Sequence, residues 1–110
     1  MSENRELLGA LGLCARAGKL IFGIPMICEA LKAGGKNRPV LVLEAGDTSE
    51  NSHKRIGDRC RYYDTKLIRL TVGGGELGTA VGKTTVLGAV AVTDAGMAAM
   101  VESKYRKQTD

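Results

Sequence analysis

Gly18-Lys19-Leu20-Ile21-Phe22-Gly23-Ile24-Pro25-Met26-Ile27-Cys28-Glu29-Ala30-Leu31-Lys32 is the stretch whose reading decides the fold. Leu20, Ile21 and Phe22 read as a short apolar strand and Gly23 as a hinge. Pro25 opens a helix, because a proline's missing N–H has no intrahelical partner in a first turn. Met26, Ile27, Ala30 and Leu31 then recur at helical spacing, which turns one face of the helix into a core. The junction presents a helix N-terminus directly after a glycine, with unpaired N–H groups and the positive end of the helix dipole facing outward. Such an end suits a phosphate or a base edge.

Upstream of this stretch, Ser2 is placed to cap a first helix, with Glu3 and Glu6 complementing its dipole. Leu7, Leu8, Leu11 and Cys14 form that helix's apolar stripe, and Ala17-Gly18 ends it. Downstream, residues 34–39 (Gly-Gly-Lys-Asn-Arg-Pro) stop the second helix and turn the chain. Residues 40–43 (Val-Leu-Val-Leu) are a continuous apolar run, as expected for a strand buried on both faces. Asp47, Thr48 and Ser49 offer caps for a third helix, which buries Ile56, Cys60 and Tyr63. A strand is expected over residues 67–72, a short helix over 76–81, a strand over 86–92, and a last helix capped by Asp94 and carried by Met97, Met100 and Val101. Residues 104–110 read as a frayed polar tail following a single domain over residues 1–103. Helices alternating with short buried strands predict an α/β fold, a three-layer α/β/α sandwich around a mixed sheet of about four short strands.

The chain has 110 residues, 44% of them hydrophobic and 25% charged, which is enough for one real core and too little for two. Its formal charge of +4 is compatible with a nucleic-acid partner. Aromatic residues make up only 4%, with no Trp, which argues against the stacking platforms of single-strand binders. No apolar run is long enough to span a membrane, and the N-terminus lacks the order of segments of a signal peptide. Cys14, Cys28 and Cys60 form no CxxC pair and each falls on the apolar side of an expected helix; they read as reduced, buried small hydrophobes, placing the protein in the cytoplasm.

Gly78-Thr79-Ala80-Val81-Gly82-Lys83-Thr84 superficially resembles a phosphate loop. That motif needs four residues between its glycines and must lead from a strand into a helix. Here three residues intervene and a strand follows, so no nucleotide cofactor is expected. His53, the only histidine, stands beside Lys54 and Arg55 and reads as a solvated surface residue. No His/Cys cluster has metal-ligand spacing, and no nucleophile has a neighbouring base. The sequence therefore predicts no enzyme, no metal and no cofactor.

Three segments carry a family resemblance. Residues 17–23 (Ala-Gly-Lys-Leu-Ile-Phe-Gly), residues 40–47 (Val-Leu-Val-Leu-Glu-Ala-Gly-Asp) and residues 76–83 (Glu-Leu-Gly-Thr-Ala-Val-Gly-Lys), in register across nearly the whole chain, resemble the kink-turn RNA-binding ribosomal proteins, the large-subunit seven-Ae and thirty-e superfamily. The chain is similar to a small bacterial member of that group. The resemblance implies the same sandwich fold, ribosome association, and binding of sharply bent duplex RNA containing tandem G·A pairs. It places a first RNA surface at Gly23, Ile24, Pro25, Met26, Glu29 and Lys32, and a second, covering a flipped-out base, at Gly82, Lys83, Thr84 and Thr85. Arg16, Lys19, Lys32, Lys36, Arg38 and Lys83 are the cations expected to gather on one rim and contact phosphates. The archaeal pattern has Asn and Glu where Pro25 and Met26 stand, and Lys where Glu29 stands. Losing a cation and gaining an anion beside the backbone weakens affinity. The alternative is a protein-interaction adaptor on the same scaffold, using the mixed-charge helix over residues 51–61. Monomer is the expected state.

Overall fold

The computed structural model describes residues 4–109. Along the chain run α1 (Arg5–Arg16), β1 (Leu20–Phe22), α2 (Ile24–Ala33), β2 (Leu41–Glu44), α3 (Glu50–Tyr62), β3 (Lys66–Arg69), α4 (Gly74–Ala80), β4 (Ala89–Val92) and α5 (Ala95–Thr109). The strands form one mixed sheet in the order β1-β4-β2-β3, with β2 parallel to β3 and β4 antiparallel to both β1 and β2. All of β2 and β4 is buried, because both are central strands covered on two faces.

The pleat separates two cores. Leu41, Leu43, Val90 and Val92 point to one face, where they meet Leu7, Leu11 and Cys14 of α1, Leu77 of α4 and Val101 of α5. Val42, Ala89 and Ala91 point to the other, against Ile27 and Leu31 of α2 and Ile56 and Cys60 of α3. This is the three-layer α/β/α sandwich the alternation of apolar runs predicts.

Each candidate cap between β2 and α3 has a separate task. Ser49 Oγ accepts from Ser52 N at 3.1 Å and caps α3. Asp47 Oδ1 accepts from Gly74 N at 2.9 Å and so serves the start of α4. The Thr48 hydroxyl donates to the Glu44 carboxylate. Asp94 Oδ2 accepts from Met97 N at 2.9 Å, the expected cap of α5. Ser2 and Glu3 lie outside the described residues.

The polar tail needs correction. α5 continues to Thr109, with Gln108 Nε2 donating to Asn4 Oδ1 at 2.7 Å and Lys104 Nζ to Glu6 Oε1 at 3.3 Å. Tyr105 packs against the larger core cluster. A helix held along one side by α1 gains packing that the local sequence, rich in charge, does not announce. The strands expected over 67–72 and 86–92 are also shorter, each reduced to four residues.

Candidate functional site

The register brings four chain segments to one end of the sheet. Phe22 pairs with Val90, Glu44 with Ala89 and with Arg69, so β1, β2 and β3 end where β4 begins. The N-termini of α2, α3 and α4 and the loop over residues 81–88 share that end.

Gly23 makes the turn into α2. Its φ of +89° lies where L side chains are strained, its N–H donates to Ala89 O at 2.9 Å, and its carbonyl receives the first helical bond, from Ile27 N at 3.0 Å. The N–H groups of Ile24 and Met26 precede that bond and have no intrahelical acceptor, while Pro25 has none to offer. The core stripe of α2 is Ile24, Ile27, Cys28 and Leu31. Met26, which the helical spacing puts on the core face and the family resemblance puts on the RNA surface, is 61% exposed. Ile24 is buried and can offer a ligand only its backbone. Pro25 is exposed, as is Glu29 one turn below Met26 on the same side of the helix.

The second segment leaves α4 through a Schellman turn. Lys83 N bonds to Gly78 O at 2.8 Å and Gly82 N to Thr79 O at 3.1 Å, with Gly82 at φ +82°. The turn carries Lys83 back to the end of β1, where its ammonium lies 4.2 Å from the centroid of the Phe22 ring, a cation–π contact with the residue preceding Gly23. Arg16, Phe22 and Lys83 share a groove of about 460 Å³ with Gly12 and residues 79–82. Thr84, Thr85 and Val86 are exposed, Val86 at 74%. The loop returns to β4 at Gly88, whose missing side chain leaves room for Ile24: a Cβ there would lie 3.0 Å from Ile24 Cδ1. A helix following this glycine-rich turn is absent, so the order of elements is not that of a phosphate loop.

A polar cluster that the sequence reading missed completes this end. Glu44 is fully buried, yet both its carboxylate oxygens lie 2.9 Å from His53 Nδ1, Thr48 donates to it, and Arg69 Nε stands 3.8 Å away. His53 is thus not a simply solvated residue: its ring bridges α3 to β2. The only forewarning was an acid closing an apolar strand, which needs buried partners. Among the described residues no group of three or more side chains could hold a metal.

The cations divide between two ends. Arg16 and Lys83 line the groove beside Phe22. Lys19 precedes β1, and its carbonyl accepts from Thr93 N at 3.0 Å, beyond the last residue of β4. Lys32 is in the last turn of α2, Lys36 in the α2–β2 loop, and Arg38 donates to the Tyr63 carbonyl beside the start of β3. Lys19, Lys32, Lys36 and Arg38 therefore belong to the far end of the sheet, which corrects the expectation of a single rim. The reason is geometric: α2 carries the chain the length of the sheet, so neighbours in sequence end up on opposite sides.

Comparison with known proteins gives a consistent picture. The model of the family described as ribosomal protein L7Ae/L30e/S12e/Gadd45 matches residues 5–102. The "RNA-binding protein YlxQ" of Bacillus subtilis is 34% identical over 96 residues, covering 87% of this chain and 91% of its own. The large ribosomal subunit protein eL30 of Yarrowia lipolytica is 35% identical over 91 residues, covering 78% and 76%. A solved structure of "a protein with unknown function" from Bacillus halodurans superposes with a TM-score of 0.81 at 27% identity, covering 92% of this chain and 97% of that one.

Proposed function

This chain belongs to the ribosomal protein L7Ae/L30e/S12e/Gadd45 family, and from that membership we propose that it is a non-catalytic RNA-binding protein that recognises sharply bent, kink-turn-like RNA on the ribosome or its precursors. Residues 23–26 and 82–85 form the recognition surface. The observation that supports this reading most is the approach of two segments some sixty positions apart in the chain: the Lys83 ammonium sits over Phe22, and Gly88 backs onto Ile24. The open N–H groups of Ile24 and Met26, with the α2 dipole behind them, meet a phosphate or a base edge. Lys83 and Arg16 supply charge along the adjoining groove, and Thr84 and Thr85 supply shape readout of a displaced base. The protein acts as a monomer in the cytoplasm, a reducing setting that the three buried free thiols support.

A kink-turn RNA and a straight duplex of matched length, compared in a gel-shift or filter assay across a salt series, test the proposal. Preference for the bent RNA with a steep salt slope is the expected result. Equal, weak binding to both would favour the adaptor reading instead, for which the exposure of Met26 and Val86 is the supporting observation.

A further inference from the structure

At the end of the sheet remote from residues 23–26, a cleft of about 500 Å³ opens between the α2–β2 loop and the turn after α3, lined by Arg38, Pro39, Val40, Tyr62, Tyr63 and Asp64. That volume falls within the range, roughly 300–1,000 Å³, of sites that hold small ligands. Tyr62 is 81% exposed. Its ring meets that of Tyr63 edge-on, with centroids 4.8 Å apart and planes at 82°, so one aromatic holds the other in place in water.

Arg38, one of the cations that the sequence assigns to phosphate contacts and the fold moves away from the first surface, lines this cleft. The Arg38 guanidinium donates to the Tyr63 carbonyl, which fixes it while leaving most of its N–H donors open. Lys36 stands two residues before it in the same loop, and Arg59 lines the adjoining depression with Tyr62 and Tyr63. None of the three is in an ion pair among the described residues. Of the nearby acids, Asp58 is bound to Lys54 and Arg61. Asp64 stands alone, at φ 54°.

We propose that this cleft takes an unpaired nucleotide of single-stranded RNA, its base stacked on Tyr62 and its phosphates held by Arg38, Lys36 and Arg59. The scarcity of aromatics argues against a platform for several bases, but stacking a single base needs only one exposed ring with charge beside it, and this cleft has both. Guanine is preferred, because the Asp64 carboxylate only accepts hydrogen bonds and guanine's Watson–Crick edge presents two adjacent N–H donors. The proposal rests on the reading of the chain as an RNA binder but concerns a separate surface.

The test uses the full chain, a blunt-ended kink-turn RNA, and labelled short oligouridines with or without one central guanosine, followed by fluorescence anisotropy. The blunt RNA is titrated first, and its binding to the parent protein decides the previous proposal by itself. The oligonucleotides are then titrated with and without saturating blunt RNA. Expected is binding in both settings, tighter with guanosine. Tyr62→Ala weakens it about tenfold, while Tyr62→Phe retains it. Arg38→Ala lowers the salt slope by about one. Asp64→Gly, which relieves the left-handed backbone and so keeps the fold, removes the guanosine preference. None of these variants changes affinity for the blunt RNA. The proposal is overturned if the parent binds no oligonucleotide, if Tyr62→Ala binds as the parent does, or if Tyr62→Ala weakens the blunt RNA to the same degree. A guanosine preference that survives in Asp64→Gly overturns the base assignment.

Discussion

Lys83 is where the charge of the proposed RNA surface is anchored, because the Phe22 ring holds its ammonium beside the entrance to α2. Lys83→Ala should weaken binding to bent RNA and lower the salt slope by about one. Lys19→Ala, at the far end of the sheet, should leave both unchanged; filter binding at several salt concentrations separates the two variants. Glu29 stands exposed on the same side of α2 as Met26, so Glu29→Lys should raise affinity at low salt and steepen the slope by about one. The thiols answer a different question. Burial pushes the Cys60 thiol up to about 11, with Cys28 and Glu44 adding to it, and burial likewise raises Cys14. Between the ordinary thiol value and about 11 the unfolded chain has lost the Cys60 proton and the native one retains it. Stability is therefore undiminished by this group below the unfolded value and falls as pH rises through that window. Urea melts from neutral pH upward should show the decline, and a thiol reagent at pH 8 should react only as fast as the protein opens.

At the scale of elements, α4 tests whether the loop over residues 81–88 is positioned by close packing. A Cβ on Gly78 would lie 2.3 Å from the Thr85 carbonyl oxygen, whereas one on Gly75 would meet nothing within 4 Å. Gly78→Ala should displace Thr84 and Thr85 and reduce RNA affinity. Gly75→Ala should raise stability by about 0.4–1 kcal/mol and leave affinity intact; thermal unfolding alongside the binding assay checks both. The elements were largely legible because apolar runs, Pro25 and the glycine turns each have a local physical cause. The phase of α2 was misread for an equally local reason. Starting the helix at Pro25 omits Ile24, and the stripe 24, 27, 28, 31 is then read as beginning at Met26. The Glu44–His53 pairing was illegible, since nothing in the composition of α3 says that one histidine reaches back to a buried strand end. The far-end placement of Lys36 and Arg38 was illegible too, because periodicity identifies strands without giving their direction.

For the molecule as a whole, α1 and α5 close one face of the sandwich. Removing residues 104–110 would delete the Lys104–Glu6 and Gln108–Asn4 bonds and uncover the core beneath Tyr105. The shortened chain should lose about 1–3 kcal/mol, read as a lower urea midpoint. RNA affinity should persist, since this face lies away from residues 23–26. A dispensable polar tail would give no change in midpoint.

The strand order has a consequence for how the protein behaves when crowded with its own copies. The outermost strands are β1, only three residues long, and β3, with Lys66 and Arg69 exposed at its two extremities. A border this brief gives an incoming strand little backbone to template on, and a second copy of the same edge would have to desolvate the charged side chains at the ends of β3, which are paired with Glu102 and Glu44. Self-assembly through sheet extension is thereby discouraged, and high concentrations of free protein should stay clear of fibrils.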